Sequence, residues 1–273
     1  MGRFRSGRAA TLCAVALAAA VPAATAAADE RRASASIIGG QRADPAQWPF
    51  VAAVLHRGKF HCSGSVIAPT KVLTAAHCLD GFKPTRLAVV TGRIDHRHDP
   101  GGQVFGVVAA TPHPDFHERQ VHDVGVITLD GPTTATPVLL PTPEEGATHG
   151  FPGQFLRVAG WGARHPFGIR IPTALHAATE QIRADRRCRR AYRKLFVVTT
   201  MICSTGRRIK GFGRPRIHET ACSGDSGAPL VADVARGAIV IGTVSFGGAF
   251  CGLGAAPTVY SRVSDSLGFI ATG

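Results

Sequence analysis

Structural zinc sites space their cysteines two to four residues apart, and no two of the seven cysteines in this 273-residue chain stand so close. Nor is there a glycine-rich phosphate loop or an internal repeat, which sets aside phosphate-cradling nucleotide enzymes and solenoids. Past the N-terminal leader no apolar run is long enough to span a bilayer. Acidic residues are scarce: 18 Asp and Glu stand against 31 Lys and Arg, a formal charge of +13. Such a balance favours loose association with polyanions without naming one.

What is present begins with that leader. Arg3, Arg5 and Arg8 precede an alanine-rich apolar stretch from Ala9 to Val21, and the small residues from Ala24 to Ala28 offer cleavage points. The stretch is short and Pro22 interrupts it, so residues 1–28 read as a secretory signal rather than an anchor, and the mature protein is expected to be extracellular, with no membrane span. Cys13 leaves with the signal. Cys62, Cys78, Cys188, Cys203, Cys222 and Cys251 remain, and an even number in a secreted chain implies disulfides whose pairing counting alone leaves open.

From Phe50 onward the chain consists of short β-branched or apolar runs divided by Gly, Pro, Asp and His. The predicted strands are Phe50–Leu55, Gly64–Ala68, Val72–Ala75, Leu87–Thr91, Val104–Ala110, Val124–Leu129, Phe155–Gly160, Leu175–Ile182, Ala228–Val231, Ile239–Val244 and Thr258–Val263. Their spacing predicts an all-β protein, with the Pro- and Thr-rich stretch Gly131–Pro143 connecting two halves. Two basic clusters stand out. Arg183, Arg186, Arg187, Arg189, Arg190, Arg193 and Lys194 lie in a stretch of some helical character, and Arg207, Arg208, Lys210, Arg214 and Arg216 in a Gly- and Pro-broken loop. Each is either a solvated face or a polyanion-binding patch.

The chemistry concentrates in Ala221-Cys222-Ser223-Gly224-Asp225-Ser226-Gly227-Ala228-Pro229. A hydroxyl such as that of Ser226 attacks nothing unless a base takes its proton and donors stabilise the resulting oxyanion. Taken alone, Gly-Asp-Ser-Gly also suits an ordinary Asx-turn. Two further segments narrow the choice: Leu73-Thr74-Ala75-Ala76-His77-Cys78 and His122-Asp123-Val124. Of the 12 histidines, only His77 ends an apolar strand and adjoins a cysteine able to fix its backbone. His122 is the rival, but neighbours on a strand point to opposite faces, so it and Asp123 would not both meet the serine. Asp123 leads into an apolar strand, where a desolvated carboxylate needs a partner such as an imidazole N–H.

Together these segments resemble the chymotrypsin/trypsin-like serine endopeptidases, in the order His, Asp, Ser, from about Ile37 to Ile270. Ile37-Ile38-Gly39-Gly40, Gly160-Trp161-Gly162, Val244-Ser245-Phe246-Gly247 and Pro257-Thr258-Val259-Tyr260 are similar to that family's activated N-terminus, mid-domain turn, substrate-pairing strand and pocket-closing segment. The resemblance implies an all-β fold of two six-stranded antiparallel barrels packed face to face around an active-site cleft, from a short propeptide at 29–36, an N-terminal half at 37–143 and a C-terminal half at 144–273. It implies His77, Asp123 and Ser226 as triad, the amides of Gly224 and Ser226 as oxyanion hole, and an activation pair between a freed Ile37 amino group and Asp225. The implied disulfides are Cys62–Cys78, Cys188–Cys203 and Cys222–Cys251. No cofactor and no metal are expected; the partners are protein or peptide substrates, and the chain is read as a monomer.

Departures from the family pattern shape the specificity. Thr220 stands where Arg- and Lys-cleaving relatives carry an aspartate at the pocket floor, and Thr258 where many have glycine, while Gly247 leaves one wall open. With Ser245 and Phe246 these residues form the implied substrate-binding set, suited to small or medium uncharged side chains. Ala33-Ser34-Ala35-Ser36 offers no Arg or Lys before Ile37, which points to self-processing after Ser36 rather than to a trypsin-like activator. Arg93 replaces the glutamate of calcium-binding relatives, and His96, His98 and Asp99 are read as an exposed loop rather than a metal site. The rival class is a catalytically silent homologue acting as a basic binding protein; residues 37–273 keep 26 basic and 16 acidic side chains, a charge of +10.

Overall fold

Adjacent residues along several strands are both apolar and both buried, yet they serve different cores. Val51, Ala53, Leu73, Val90 and Val126 pack into one cluster with Trp161, Leu175, Val231 and Val240, while their chain neighbours Ala52, Val54, Val72, Val89 and Ile127 fill another. Side chains alternate between the two faces of a strand. Strands apolar on both faces therefore belong to a sheet with one face turned into a barrel and the other packed on a second sheet.

The computed structural model describes residues 1–2, 37–98, 100–117, 119–166, 171–209, 216–253 and 256–273. The signal and propeptide expected at 1–36, apart from residues 1–2, lie outside the described residues, as do Asp99, Lys210 and Arg214. Everything below concerns the compact unit Ser34–Gly273.

Strands β2 (Val51–His56), β3 (Lys59–Ala68), β4 (Lys71–Thr74), β5 (Leu87–Thr91), β6 (Gln103–Pro112) and β7 (Gly125–Leu129) close a barrel in the order β2-β3-β4-β7-β6-β5. Strands β8 (Phe155–Gly160), β9 (His176–Ile182), β10 (Met201–Gly206), β11 (Pro229–Val234), β12 (Gly237–Phe246) and β13 (Thr258–Arg262) run β9-β10-β13-β12-β11-β8, and the β8–β9 pairing closes them as well. The architecture is thus two six-stranded antiparallel barrels. Its second core gathers Leu156, Val158, Ile202, Leu230, Ile239, Ile241 and Tyr260. Strand β10 was not anticipated. All six of its residues are buried, so it shows no polar alternation, and it mixes Cys, Ser, Thr and Gly.

The two sequence halves are interlaced in space. β1 (Gln41–Arg42) comes from the N-terminal half and pairs with β9 of the second barrel. The C-terminal helix, Leu267–Thr272, returns to the first barrel: Phe269 packs 4.7 Å from His113, and Lys71 Nζ donates to the Gly273 carbonyl. Helix α1 (Pro143–His149) starts on a capping box between Thr142 and Glu145. Helix α2 (Asp185–Tyr192) falls in the first basic cluster, and α3 is the C-terminal helix just described. Three disulfides join Cys62–Cys78, Cys188–Cys203 and Cys222–Cys251.

Candidate active site

β4 ends at Thr74 and runs into a single 3-10 turn, Ala76–Cys78, that carries His77. The Cys62–Cys78 bridge ties this turn to β3, and His61 Nε2 lies 3.1 Å from the Cys78 carbonyl. Asp123 is fully buried, which would be costly for a carboxylate without partners. It has three donors: its Oδ1 accepts from the His77 amide at 2.9 Å, and its Oδ2 from His77 Nδ1 at 2.7 Å and from the Ser245 hydroxyl at 2.6 Å. With the Nδ1 proton committed to Asp123, Nε2 is left as the acceptor nitrogen of a neutral ring. The His77 side chain keeps 27% of its surface exposed.

His122 turns elsewhere. Its Nδ1 lies 3.3 Å from Asp265 Oδ2, and its ring stacks on His113 with centroids 4.7 Å apart. Strand alternation is not what separates it from Asp123, because β7 begins only at Gly125. A left-handed residue, φ 52° at His122, sends the two side chains apart.

The serine loop belongs to the second barrel but is seated on the first. The Ser63 amide donates to the Ser226 carbonyl at 2.8 Å, and the Ser63 hydroxyl to the Gly224 carbonyl at 3.3 Å. Gly227, at φ +79°, approaches so closely that a Cβ there would meet Thr74 Oγ1 at 2.2 Å and the Ser63 carbonyl at 2.3 Å. Ser226 is thereby held beside the strand end that leads to His77. The amides of Asp225, Gly227 and Ala228 are consumed within the fold, by Cys222, Val244 and Asp225 carbonyls respectively. Among the described residues no acceptor takes the N–H of Gly224 or Ser226. Two amides two residues apart are left to donate to a ligand oxygen.

Asp225 is buried between those amides. Its Oδ1 and Oδ2 accept from the amides of Gly162 and Cys222, both at 2.8 Å, and burial pushes its carboxyl up to about 7. Gly160 and Gly162 make room for it, since a Cβ on either would fall within 2.2 Å of a carboxylate oxygen. Ile37 is also fully buried and shares a cluster with Ala221 and Ala228, which flank Asp225 in sequence. The next residue, Ile38, exchanges two backbone hydrogen bonds with Thr220.

Thr220 and Thr258 are both buried and hydrogen-bond each other through their hydroxyls. Phe246 packs edge-on against Tyr192, and beside Gly247 there is open space. Under this floor lies a residue that the sequence reading passed over. Glu180 is fully buried; its Oε1 accepts from the Ala221 amide at 3.1 Å, and its Oε2 from the Tyr260 hydroxyl at 2.8 Å and from Ser204. The signal was available, because Glu180 shares strand parity with the buried His176 and Ile182. The two histidines of the candidate loop have protein partners: His96 stacks on Phe60, and His98 Nδ1 lies 3.1 Å from Asp95. The ligand atoms of Cys62, His77 and Cys78 lie within 4.8 Å of one another, but both sulfurs are spent in a disulfide and offer no thiolate. No helix among the described residues is long and apolar enough to cross a membrane.

Known proteins resemble this chain over most of its length. The family model described as Trypsin matches residues 37–270. Serine protease 57 of Rattus norvegicus is 34% identical over 240 residues, covering 86% of this chain and 81% of its own. A trypsin of Saccharopolyspora erythraea is 32% identical over 229 residues, 83% of this chain and 93% of its own. Glucanase inhibitor protein 3 of Phytophthora infestans is 35% identical over 219 residues, 78% of each chain.

Proposed function

The chain belongs to the trypsin family of serine endopeptidases and acts on proteins or peptides; we propose that it does so through His77, Asp123 and Ser226, as a secreted enzyme activated by cleavage before Ile37. The observation that carries the assignment is Asp123. A carboxylate buried at the junction of the two barrels, bonded at once to the amide and Nδ1 of His77 and to Ser245, supports a fixed imidazole orientation on the barrel against which the Ser226 loop is seated.

In the proposed reaction His77 Nε2 takes the Ser226 hydroxyl proton as Oγ attacks the scissile carbonyl carbon. Asp123 stabilises the imidazolium so formed, and the carbonyl oxygen, now an oxyanion, moves onto the Gly224 and Ser226 amides. Collapse of the tetrahedral intermediate expels the amine, which receives its proton from His77 and leaves an acyl-Ser226. Water then repeats the sequence with the same base and releases the acid.

Among the described residues no cation pairs with the buried Asp225 carboxyl, which supports activation before Ile37. A freed Ile37 ammonium entering beside the carboxylate would favour its ionised form and order the serine loop. The Thr220–Thr258 bond supports a shallow pocket floor for small or medium uncharged side chains, and such a pocket would accept Ser36 of the chain's own propeptide. A fluorophosphonate probe tests the catalytic reading. Stoichiometric labelling of the mature chain, abolished in Ser226→Ala, is the expected result; a correctly processed chain that takes no label would instead be a silent binding homologue.

A further inference from the structure

The face of α2 carries a ladder of like charge. On α2, Arg186 and Arg187 stand four and three residues before Arg190, and Arg183, Arg193 and Lys194 lie just beyond the helix ends; no acidic residue stands three or four residues from Arg187 or Arg190. Like charges at these spacings destabilise a helix. Among the described residues none of Arg186, Arg187, Arg189 and Arg190 pairs with a carboxylate. The crowding is felt locally, since burial and then the nearby Arg187 lower the pKa of Arg183. The helix's one acid, Asp185, stands four residues from Arg189, so among the described residues Arg187 and Arg190 are left without a carboxylate partner.

That face borders the outer end of the substrate-pairing segment. Tyr192, the last residue of α2, packs against Phe246 at 5.3 Å between ring centroids and donates its hydroxyl to the Pro257 carbonyl. A cleft of about 450 Å³ is lined by Arg187, Arg190, Tyr192, Gly248 and Pro257, and a second of about 450 Å³ by Arg186, Arg187 and Arg190. Gly248 is three residues past Ser245, roughly 10 Å along an extended chain. A peptide pairing antiparallel with Ser245–Gly247 therefore runs from Ser226 towards the arginines.

We propose that Arg187 and Arg190 form a subsite for acidic side chains lying about four to six residues before the scissile bond. The subsite rests on the reading of Ser245, Phe246 and Gly247 as the substrate edge. Carboxylates meet guanidinium groups in bidentate fashion and would relieve the like-charge ladder.

The test compares two fluorogenic peptides with the same three residues before the cleaved bond, one extended by three glutamates and one by three glutamines. The readout is the ratio of their kcat/KM values on one enzyme preparation, which cancels any loss of active fraction. Exposed charge pairs contribute up to about fivefold each, so the acidic peptide should win by about three- to twentyfold at low salt. The preference should vanish near 1 M salt, where screening shortens to about 3 Å. Arg187→Ala/Arg190→Ala should bring the ratio towards one, while Lys83→Ala/Arg86→Ala, at exposed sites on the first barrel, should leave it intact. A ratio near one in the unmodified enzyme overturns the proposal, as does a preference that survives loss of both arginines. Heparin retention lost with the arginines, alongside a ratio near one, reassigns the face to polyanions. No cleavage of either peptide and no fluorophosphonate labelling would remove the catalytic reading, and the subsite with it.

Discussion

Glu180→Leu strands three buried donors: the Ala221 amide and the hydroxyls of Ser204 and Tyr260. The hydroxyls can rotate towards other acceptors, whereas the amide cannot. An unmet buried donor costs about 1–3 kcal/mol. The expected loss is therefore about 2–5 kcal/mol, a large share of a domain stability of about 5–15 kcal/mol. Glu180→Gln keeps the volume and one acceptor for the amide, and asks only that the hydroxyls accept from its NH2; its loss should be about 1 kcal/mol. The two variants also separate by pH. Burial raises the pKa of Glu180, and Glu219 adds a like charge. With the folded-state pKa above the unfolded value, the wild type is favoured where the acid is protonated and loses stability as pH rises from about 4.3 towards the folded pKa. Glutamine does not titrate, so the stability of Glu180→Gln relative to wild type should improve between about pH 4.5 and pH 7.5. Urea unfolding in a Ser226→Ala background, which prevents self-digestion, measures both effects. A leucine variant within about 0.5 kcal/mol of wild type, or a glutamine variant that loses ground as pH rises, would refute the reasoning.

The remaining predictions concern the site. Asp123→Asn should lower kcat by about ten-thousandfold, the general value for this exchange in a serine triad, because the amide NH2 donates to Nδ1 and forces the wrong tautomer; a steady-state kcat above a tenth of wild type would contradict this. In the uncleaved Ser226→Ala chain, ionising Asp225 works against folding as pH rises from about 4 to about 7, a cost of roughly 4 kcal/mol that Asp225→Asn should remove, while a chain beginning at Ile37 should show far less of it; urea unfolding across that range reads the difference. Thr258→Gly should deepen the pocket and shift preference towards larger side chains by about 10- to 200-fold in kcat/KM ratio, measured on matched peptides. Replacing Cys62 and Cys78 by serine opens a bridge between residues 16 apart and should cost about 3 kcal/mol in thermal or urea unfolding.

The parts of this protein that could be read from the chain are those in which one local signal dominates. Eleven of the twelve barrel strands show as apolar runs; β10 does not, because all six of its residues are buried, Ser204 and Thr205 included, so polar and apolar residues do not alternate to mark its period. The serine motif and the His77 segment were legible because turn-forming glycines and a neighbouring cysteine are local features. The interlacing of the halves was not, since nothing in Gln41–Arg42 says that two residues will pair with β9 more than 130 residues away. Glu180 was missed for a related reason. Its partners Ser204, Ala221 and Tyr260 come from three other segments, and only their convergence makes a buried acid tolerable.

That convergence also explains why the site sits where it does. Asp123 comes from the first barrel and Ser245 from the second, and one carboxylate oxygen accepts from Ser245 and from His77 together. The serine loop depends in the same way on Ser63 and Thr74, whose backbone and side chains meet it across the junction. Neither barrel alone satisfies the buried carboxylate and positions the hydroxyl. With Asp123 in the proposed triad, loosening that junction disturbs its hydrogen bonds to His77 and Ser245, and a substitution in the shared layer, such as Leu73→Ala, should lower turnover at temperatures where most of the protein is still folded. Leu73 is fully buried there, and truncation of this kind costs about 2–5 kcal/mol, which a well-packed barrel can absorb more readily than a hydrogen-bond set spanning two of them. Turnover that falls only in step with global unfolding would show instead that the junction is no softer than the barrels it joins.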